Sequence, residues 1–319
     1  MPREVFGTDY PFLPPDALLS FAEIERLAGV FAGLGVRKIR LTGGEPLLRK
    51  NLPDLIVKLA ALPGIEDVAL TTNGVLLEQH ARALKQAGLH RVTVSLDALD
   101  DAAFRAMSDA DLPVTRVLAG IEAAQKAGLN PVKVNAVVWR GRNEQQIGPL
   151  VRHFRGSGVV LRFIEYMDVG ATNGARWNQA EVVPAVEIVR AVESACGDEL
   201  VPLPPAYQGE VARRWRYASG QGEVGVIASV TQPFCGDCTR ARLSAQGHLY
   251  TCLFAGADAG VDLATPLRAG ADDSALARLV IQTWHHRRDR YSELRATFGP
   301  GRALPMFTGS KVEMSHIGG

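Results

Sequence analysis

The feature that most constrains this chain is a strand–helix alternation through its first half. β-rich runs at residues 38–41, 67–70, 92–96, 132–138 and 159–164 are separated by helical patterns at 52–62, 78–87, 114–127 and 144–154. An earlier helix opens at Ser20-Phe21-Ala22-Glu23, which reads as a capping box ahead of Leu27, Val30, Phe31 and Leu34. Gly35, Gly88, Gly128 and Gly156 follow four of the helices, where C-terminal caps belong. Strands and helices repeating about every 30 residues imply parallel βαβ units with right-handed crossovers. An open or partial barrel suits five such units; a Rossmann-like sheet is the alternative, and spacing leaves both open.

Polar residues gather where these strands end: Thr42-Gly43-Gly44-Glu45-Pro46, Thr71-Thr72-Asn73-Gly74, Ser95-Leu96-Asp97, Asn135, and Glu165-Tyr166-Met167-Asp168. Each alone is ordinary turn chemistry. Together they mark one shared pocket, because parallel α/β folds carry ligands at the carboxyl ends of their strands. After Asp168 the pattern breaks. Gly170-Ala171-Thr172-Asn173-Gly174 is turn-rich and Pro202-Leu203-Pro204-Pro205 is a stiff connector. The expected division is therefore residues 1–168 and 169–319, the latter holding a β-like run at 225–230 and a late helix at 274–286.

The formal net charge of +1 gives no global field for nucleic acid or an anionic membrane, so anion binding requires a local cluster of Arg and Lys. No apolar run is long enough to span a bilayer, and Met1-Pro2-Arg3-Glu4 has no signal-peptide core. The chain reads as cytoplasmic, where cysteines serve metals more often than disulfides. It has four, and Cys235, Cys238 and Cys252 form C-x2-C-x13-C. Three thiolates suit a four-iron cluster with one iron free of protein ligands, or a zinc site completed by His248. Thiolates favour both centres, and spacing does not choose. Cys196 stands apart and reads as a buried apolar residue. Arg240 and Arg242, if extended, point to one face beside the thiols, where guanidinium forks suit phosphate oxygens. The runs Arg213-Arg214-Trp215-Arg216 and Arg287-Arg288 read as solvated faces or local anion contacts.

From end to end the chain resembles the GTP 3′,8-cyclases among the radical S-adenosylmethionine (SAM) enzymes. The resemblance is carried by Met1-Pro2-Arg3-Glu4-Val5-Phe6-Gly7, Ile39-Arg40-Leu41-Thr42-Gly43-Gly44-Glu45-Pro46, Thr71-Thr72-Asn73-Gly74 and Val94-Ser95-Leu96-Asp97-Ala98. It continues through residues 162–170 and 234–243 to Ile317-Gly318-Gly319. It implies an α/β fold: a partial (β/α)6 barrel lacking its first strand, with a C-terminal auxiliary-cluster domain. By resemblance Gly44, Ser95 and Met167 contact SAM, while Arg40, Thr71, Lys133, Arg240 and Arg242 contact GTP. Cys235, Cys238 and Cys252 match ligands of an auxiliary [4Fe-4S] cluster whose open iron meets guanine, which favours iron–sulfur over zinc. Gly318 and Gly319 are expected in the active site, where glycine lets backbone approach a ligand.

The reaction implied is cleavage of SAM to a 5′-deoxyadenosyl radical, abstraction of the ribose 3′ hydrogen and attack on purine C8. Its product is (8S)-3′,8-cyclo-7,8-dihydroguanosine 5′-triphosphate, a precursor in molybdenum cofactor biosynthesis. Implied partners are GTP, SAM, an electron donor and the next enzyme of the pterin pathway, with a homodimer left open and no nucleic acid or membrane. The family's C-x3-C-x2-C motif, which ligates a second [4Fe-4S] cluster, is absent, and truncation or a start assigned at an internal methionine is the expected cause. The chain as written is then expected not to cleave SAM. The alternative is a non-catalytic nucleotide-binding or assembly protein retaining the auxiliary cluster. A zinc-ribbon nucleic-acid module is disfavoured by the neutral net charge.

Overall fold

The computed structural model describes residues 13–109, 111–171, 176–298, 311–313 and 316. Helix α1 (Phe21–Gly33) begins with the expected capping box: the Glu23 amide donates to Ser20 Oγ at 3.2 Å, and the Ser20 amide donates to Glu23 Oε2 at 2.7 Å. The chain continues through β1 (Lys38–Leu41), α2 (Leu52–Ala60), β2 (Asp67–Thr72), α3 (Leu77–Gln86) and β3 (Arg91–Ser95). Next come α4 (Asp101–Ser108), α5 (Thr115–Lys126), β4 (Lys133–Val138), α6 (Ile147–Phe154), β5 (Val160–Glu165) and α7 (Ala185–Cys196). Helix α4 was outside the expected set; it is short and capped by Asp100, whose carboxylate accepts from the Ala103 amide at 2.9 Å.

A hairpin of β6 (Leu200–Leu203) and β7 (Arg213–Tyr217) leads to β8 (Glu223–Ile227), which returns to the first sheet beside β5. The resulting eight-stranded sheet has the order β1-β2-β3-β4-β5-β8-β7-β6. β1 to β5 and β8 run parallel, whereas β7 and β6 are antiparallel additions. The sheet thus extends past Asp168, the point where the repeating pattern stops.

Side-chain alternation selects the barrel over the Rossmann-like sheet. One face carries Val68, Leu70, Val92, Val94, Val134, Ala136, Leu161, Phe163, Val224 and Val226, all buried in the main core with the helices. The opposite face carries Arg40, Thr71, Arg91, Thr93, Lys133, Asn135 and Arg162, as the register requires. A doubly wound sheet buries both faces and needs apolar residues on each. Here only one face is covered, so the sheet curls with its polar face inward. Strands β1 and β7 are six steps apart and would lie roughly 29 Å apart in a flat sheet. Yet Lys38 on β1 touches Tyr207 in the β6–β7 connection, its Nζ 3.7 Å from the ring centroid. The four residues of the loop beyond β6 extend at most about 14 Å, and curling of the sheet helps to bring its two ends together.

The remainder forms a three-stranded antiparallel sheet of β9 (Arg242–Leu243), β10 (His248–Tyr250) and β11 (Val261–Asp262). Helices α8 (Ala264–Arg268), α9 (Asp273–His285) and α10 (Tyr291–Phe298) follow. Leu249, Leu263, Leu267, Leu276 and Val280 pack on Leu19, Leu27 and Val30 of the α1 region. Ion pairs Arg26–Asp273 at 2.8 Å and Arg268–Glu23 at 2.7 Å flank that seam. Among the described residues no helix is long and apolar enough to cross a membrane.

Fully buried Glu165, at the end of β5, fastens three segments. Its carboxylate accepts from the Ala185 amide at the start of α7 (2.8 Å), from the Val230 and Thr231 amides (2.8 and 2.9 Å), and from the Thr231 hydroxyl. Removing it leaves buried donors unsatisfied at about 1–3 kcal/mol each. Glu165→Ala should therefore lower unfolding free energy by at least about 3 kcal/mol, measured by urea denaturation. Ser20→Ala, which removes one cap, should cost only about 1 kcal/mol.

Candidate functional site

The inward face of the curled sheet is a cation cluster. Arg40 Nη1 donates to Thr71 Oγ1 at 3.0 Å and to Thr93 Oγ1 at 3.4 Å, which aims the guanidinium across neighbouring strands. Arg162, 8% exposed on β5, donates from Nε to Asn135 Oδ1 at 3.0 Å. Burial lowers the Arg162 pKa to about 10, helped by Arg40 four strands away in the sheet order. Lys133 is pushed down to about 8, first by burial and then by Arg162, Arg91 and Arg40. Enclosure and Arg91 lower Arg40 as well, and Arg240 adds to that repulsion. Arg91 has its own counter-charge in Asp67, with Nε–Oδ1 at 3.0 Å.

Arg240 connects this face to the thiols. Its guanidinium lies 5.3 Å from the Phe234 ring centroid, and its buried Nε has no hydrogen-bond partner. Cys235 and Cys238 share a turn closed by the Cys238 amide donating to the Cys235 carbonyl at 3.2 Å. Burial alone would raise the Cys238 thiol, but Arg240 and Arg287 overcome it and bring the pKa to about 7. Cys252 is pushed up to about 11 by burial, with its Sγ accepting from the Phe254 amide at 3.4 Å. Arg242 feels Arg240, Cys252 and Cys238, and burial lowers it to about 10.

Of the sequence-predicted residues, Thr71 and Lys133 neighbour Arg40, Arg40 feels Arg240, and Arg240 and Arg242 act on Cys238, with Arg242 also beside Cys252. Gly44, Ser95 and Met167 sit at the carboxyl ends of β1, β3 and β5. Met167 packs with Cys252 around Phe254 and Tyr291, whereas exposed Gly44 leaves open space where a Cβ would stand. Gly318 and Gly319 lie outside the described residues. Cys196 packs at the edge of the main core, its Sγ 3.6 Å from the Glu193 and Asp198 carbonyls.

Among the described residues, no three His, Cys, Asp or Glu side chains are arranged to hold a metal ion. That holds for Cys235, Cys238 and Cys252 as for a set completed by His248, which pairs in register with Asp262. The donor chemistry nevertheless suits a thiolate-bound cluster, since cations stand against all three cysteines.

Lys38, Arg91 and Arg162 were missed in the sequence reading. Lys38 alternates with Arg40 in β1, a readable signal, whereas Arg91 and Arg162 are single basic residues in their strands. Some strand-end polar groups are structural fasteners. Glu45 accepts from the Thr72 hydroxyl, the Asn73 amide and the Leu47 amide at 2.7, 2.8 and 3.0 Å. Asn143 donates to the Asp97 and Val137 carbonyls at 2.9 and 2.8 Å.

Residues 6–154 match the Radical SAM superfamily model, and residues 159–293 match Molybdenum Cofactor Synthesis C. The chain is a radical SAM protein carrying that second domain. It is 52% identical to the GTP 3′,8-cyclase of Acidothermus cellulolyticus, covering 100% of this chain and 91% of that protein. The Staphylococcus aureus GTP 3′,8-cyclase is 44% identical, with 100% and 91% covered. A radical SAM methyltransferase structure from Sphaerobacter thermophilus overlaps 55% of this chain and 52% of its own, at 17% identity and TM-score 0.42. By its similarity to the full-length curated relatives, this chain belongs to the GTP 3′,8-cyclase family.

Burial pushes the Asp97 carboxyl up to about 6, although the Val137 amide donates to it at 2.8 Å. Its folded pKa thus exceeds the unfolded value of about 3.9, so the folded state gains from the proton below pH 4 and loses that gain as pH rises through 6. Asp97→Asn should gain stability relative to the unmodified chain between pH 4 and 7, by on the order of 2 kcal/mol, in paired urea titrations.

Proposed function

We propose that this chain acts on GTP as its family does, converting it to (8S)-3′,8-cyclo-7,8-dihydroguanosine 5′-triphosphate by SAM-derived radical chemistry in molybdenum cofactor biosynthesis. The observation that carries the reading is the continuity from Arg162, Lys133 and Arg40 through Arg240 to Cys238. A nucleoside triphosphate has the same division, a polyanion at one end and a base at the other. Lys133, Arg40 and Arg162 would take phosphate oxygens, and Thr71 and Thr93 orient Arg40 for that task. Arg240 and Arg242 would neutralise charge nearer the base. Fixing both ends restricts the ribose between them, which is catalysis by positioning.

Cys235, Cys238 and Cys252 would hold the auxiliary [4Fe-4S] cluster, which when bound supplies an iron without a protein ligand to fix the base. Gly44, Ser95 and Met167 would contact SAM, and Gly318 and Gly319 would enter the active site, as the resemblance of their motifs implies. The SAM cluster is different: the four cysteines of the sequence contain no C-x3-C-x2-C, so the 319 residues do not provide its ligands. That observation favours a second reading of the polypeptide by itself, as a nucleotide-binding chain with the auxiliary cluster alone. On this second reading these residues alone form no 5′-deoxyadenosine from SAM and reductant; formation would overturn it in favour of the first.

Anaerobic reconstitution should load about four iron per chain, and zinc without iron would reject the cluster assignment. Arg240→Ala and Arg242→Ala should each weaken GTP binding about tenfold or more by calorimetry, as loss of a charge-assisted bond requires. Lys133 must be protonated to pair with phosphate, and bound phosphate raises its pKa above the free value of about 8. GTP affinity should accordingly fall as pH rises through 8, and Lys133→Met should flatten that dependence.

A further inference from the structure

The β6–β7 connection, residues 204–212, is a built loop rather than a loose crossing. Glu210 accepts from the Ala206 amide at 2.7 Å, and its own amide donates to the Tyr207 carbonyl at 3.2 Å. Arg214 ties the loop to the sheet through Glu210 at 3.3 Å, the Pro204 carbonyl at 3.0 Å and Glu223 at 3.1 Å. Gly209 has φ +78°, and a Cβ there would lie 2.7 Å from Thr239 Oγ1 and 2.8 Å from the Asp237 carbonyl. The loop therefore presses against the segment that carries Arg240.

Tyr207 is the residue this loop presents to the cation cluster. It is 46% exposed, yet its ring lies 3.7 Å from Lys38 Nζ, and its phenol falls within electrostatic range of Arg40 and Arg162. A free lysine side chain carries about 2 kcal/mol of rotamer entropy that favours mobility, and the carboxylate in register with Lys38, Asp67, is already bonded to Arg91. An aromatic face offsets that tendency, because the ring quadrupole attracts the ammonium.

We propose that Tyr207 is a positioning residue of the polyanion site, holding the Lys38 ammonium at the edge of the cation cluster so that it joins Arg40 and Arg162 around one chain of phosphates. This rests on the reading of that cluster as the triphosphate site. Tyr207 touches no reacting atom; it acts through Lys38.

Inorganic tripolyphosphate, titrated into the chain by calorimetry, probes this site without any cluster. Tyr207→Leu should weaken binding about fivefold, the scale of one cation–π contact, with an unchanged thermal midpoint because the residue is half exposed. Tyr207→Phe keeps the ring and should bind within about twofold of the unmodified chain. In a Lys38→Met background, Tyr207→Leu should have no further effect. Three results would each overturn the role: unchanged binding by Tyr207→Leu, equal losses in the Phe and Leu variants, or additive losses in the double variant. Failure of the unmodified chain to bind tripolyphosphate would overturn the triphosphate site and the role of Tyr207 together. Binding that Lys38→Met weakens but Tyr207→Leu does not would leave the site standing and remove Tyr207 alone.

Discussion

Glu165 is the interaction on which the arrangement of the second half depends. A fully buried carboxylate at the end of β5 gathers the first amide of α7 and two amides just beyond β8. It thereby sets where the sheet accepts its last parallel strand and where the chain leaves for the thiols. Three residues later, Asp168 does a similar task. Its carboxylate accepts from the Tyr291 hydroxyl, Arg295 and Lys311, the last at 2.9 Å, while Arg295 also donates to the Ser229 carbonyl at 2.8 Å. Two acidic groups at one strand end thus hang the cysteine-bearing segments from the barrel. Buried acceptors of this kind are costly to leave unmatched, which makes the geometry specific.

The inner face works in the opposite sense. Lys133 and Arg162 are depressed first by burial and then by neighbouring cations, Arg40 and Arg91 acting on both and Arg162 on Lys133, so the fold holds these cations closer than they would choose. Their local counter-charges are few: Asp67 serves Arg91, and Glu223 is shared with Arg214. A bound polyanion relieves this repulsion without reorganising the walls. Preorganised charge in a partly enclosed space is the usual physical source of tight phosphate recognition. The apolar face behind it, covered by helices, supplies the stability that tolerates the crowding.

Much of this was readable from sequence because local signals agreed with the fold. The Ser20–Glu23 capping box and the β1 strand appear where expected, and the 274–286 helix is α9 with a shift of one residue. The β6–β7 hairpin and the return of β8 were not readable, since parallel pairing with β5 joins residues about 60 positions apart and leaves no local trace. Arg213-Arg214-Trp215-Arg216 was read as a solvated face or anion contact. It is strand β7, and its Arg214 is committed to Glu210 and Glu223. Arg162 was missed as a site residue because one arginine among apolar neighbours says nothing of which way a strand faces. Pairing with Asn135 and Gly225 resolves that orientation.

Neighbouring residues in these strands belong to different environments: Thr71 meets Arg40 inside the barrel, whereas Thr72 meets Glu45 on the other face. Both halves of the molecule's chemistry are therefore written into the same few residues in alternation. A single inserted or deleted residue would turn guanidiniums into the helix-packed layer and valines into the lumen at one stroke. Such strands can drift by substitution, position by position, but they cannot be lengthened or shortened in the middle, and any growth of this protein over time is confined to the connections between them.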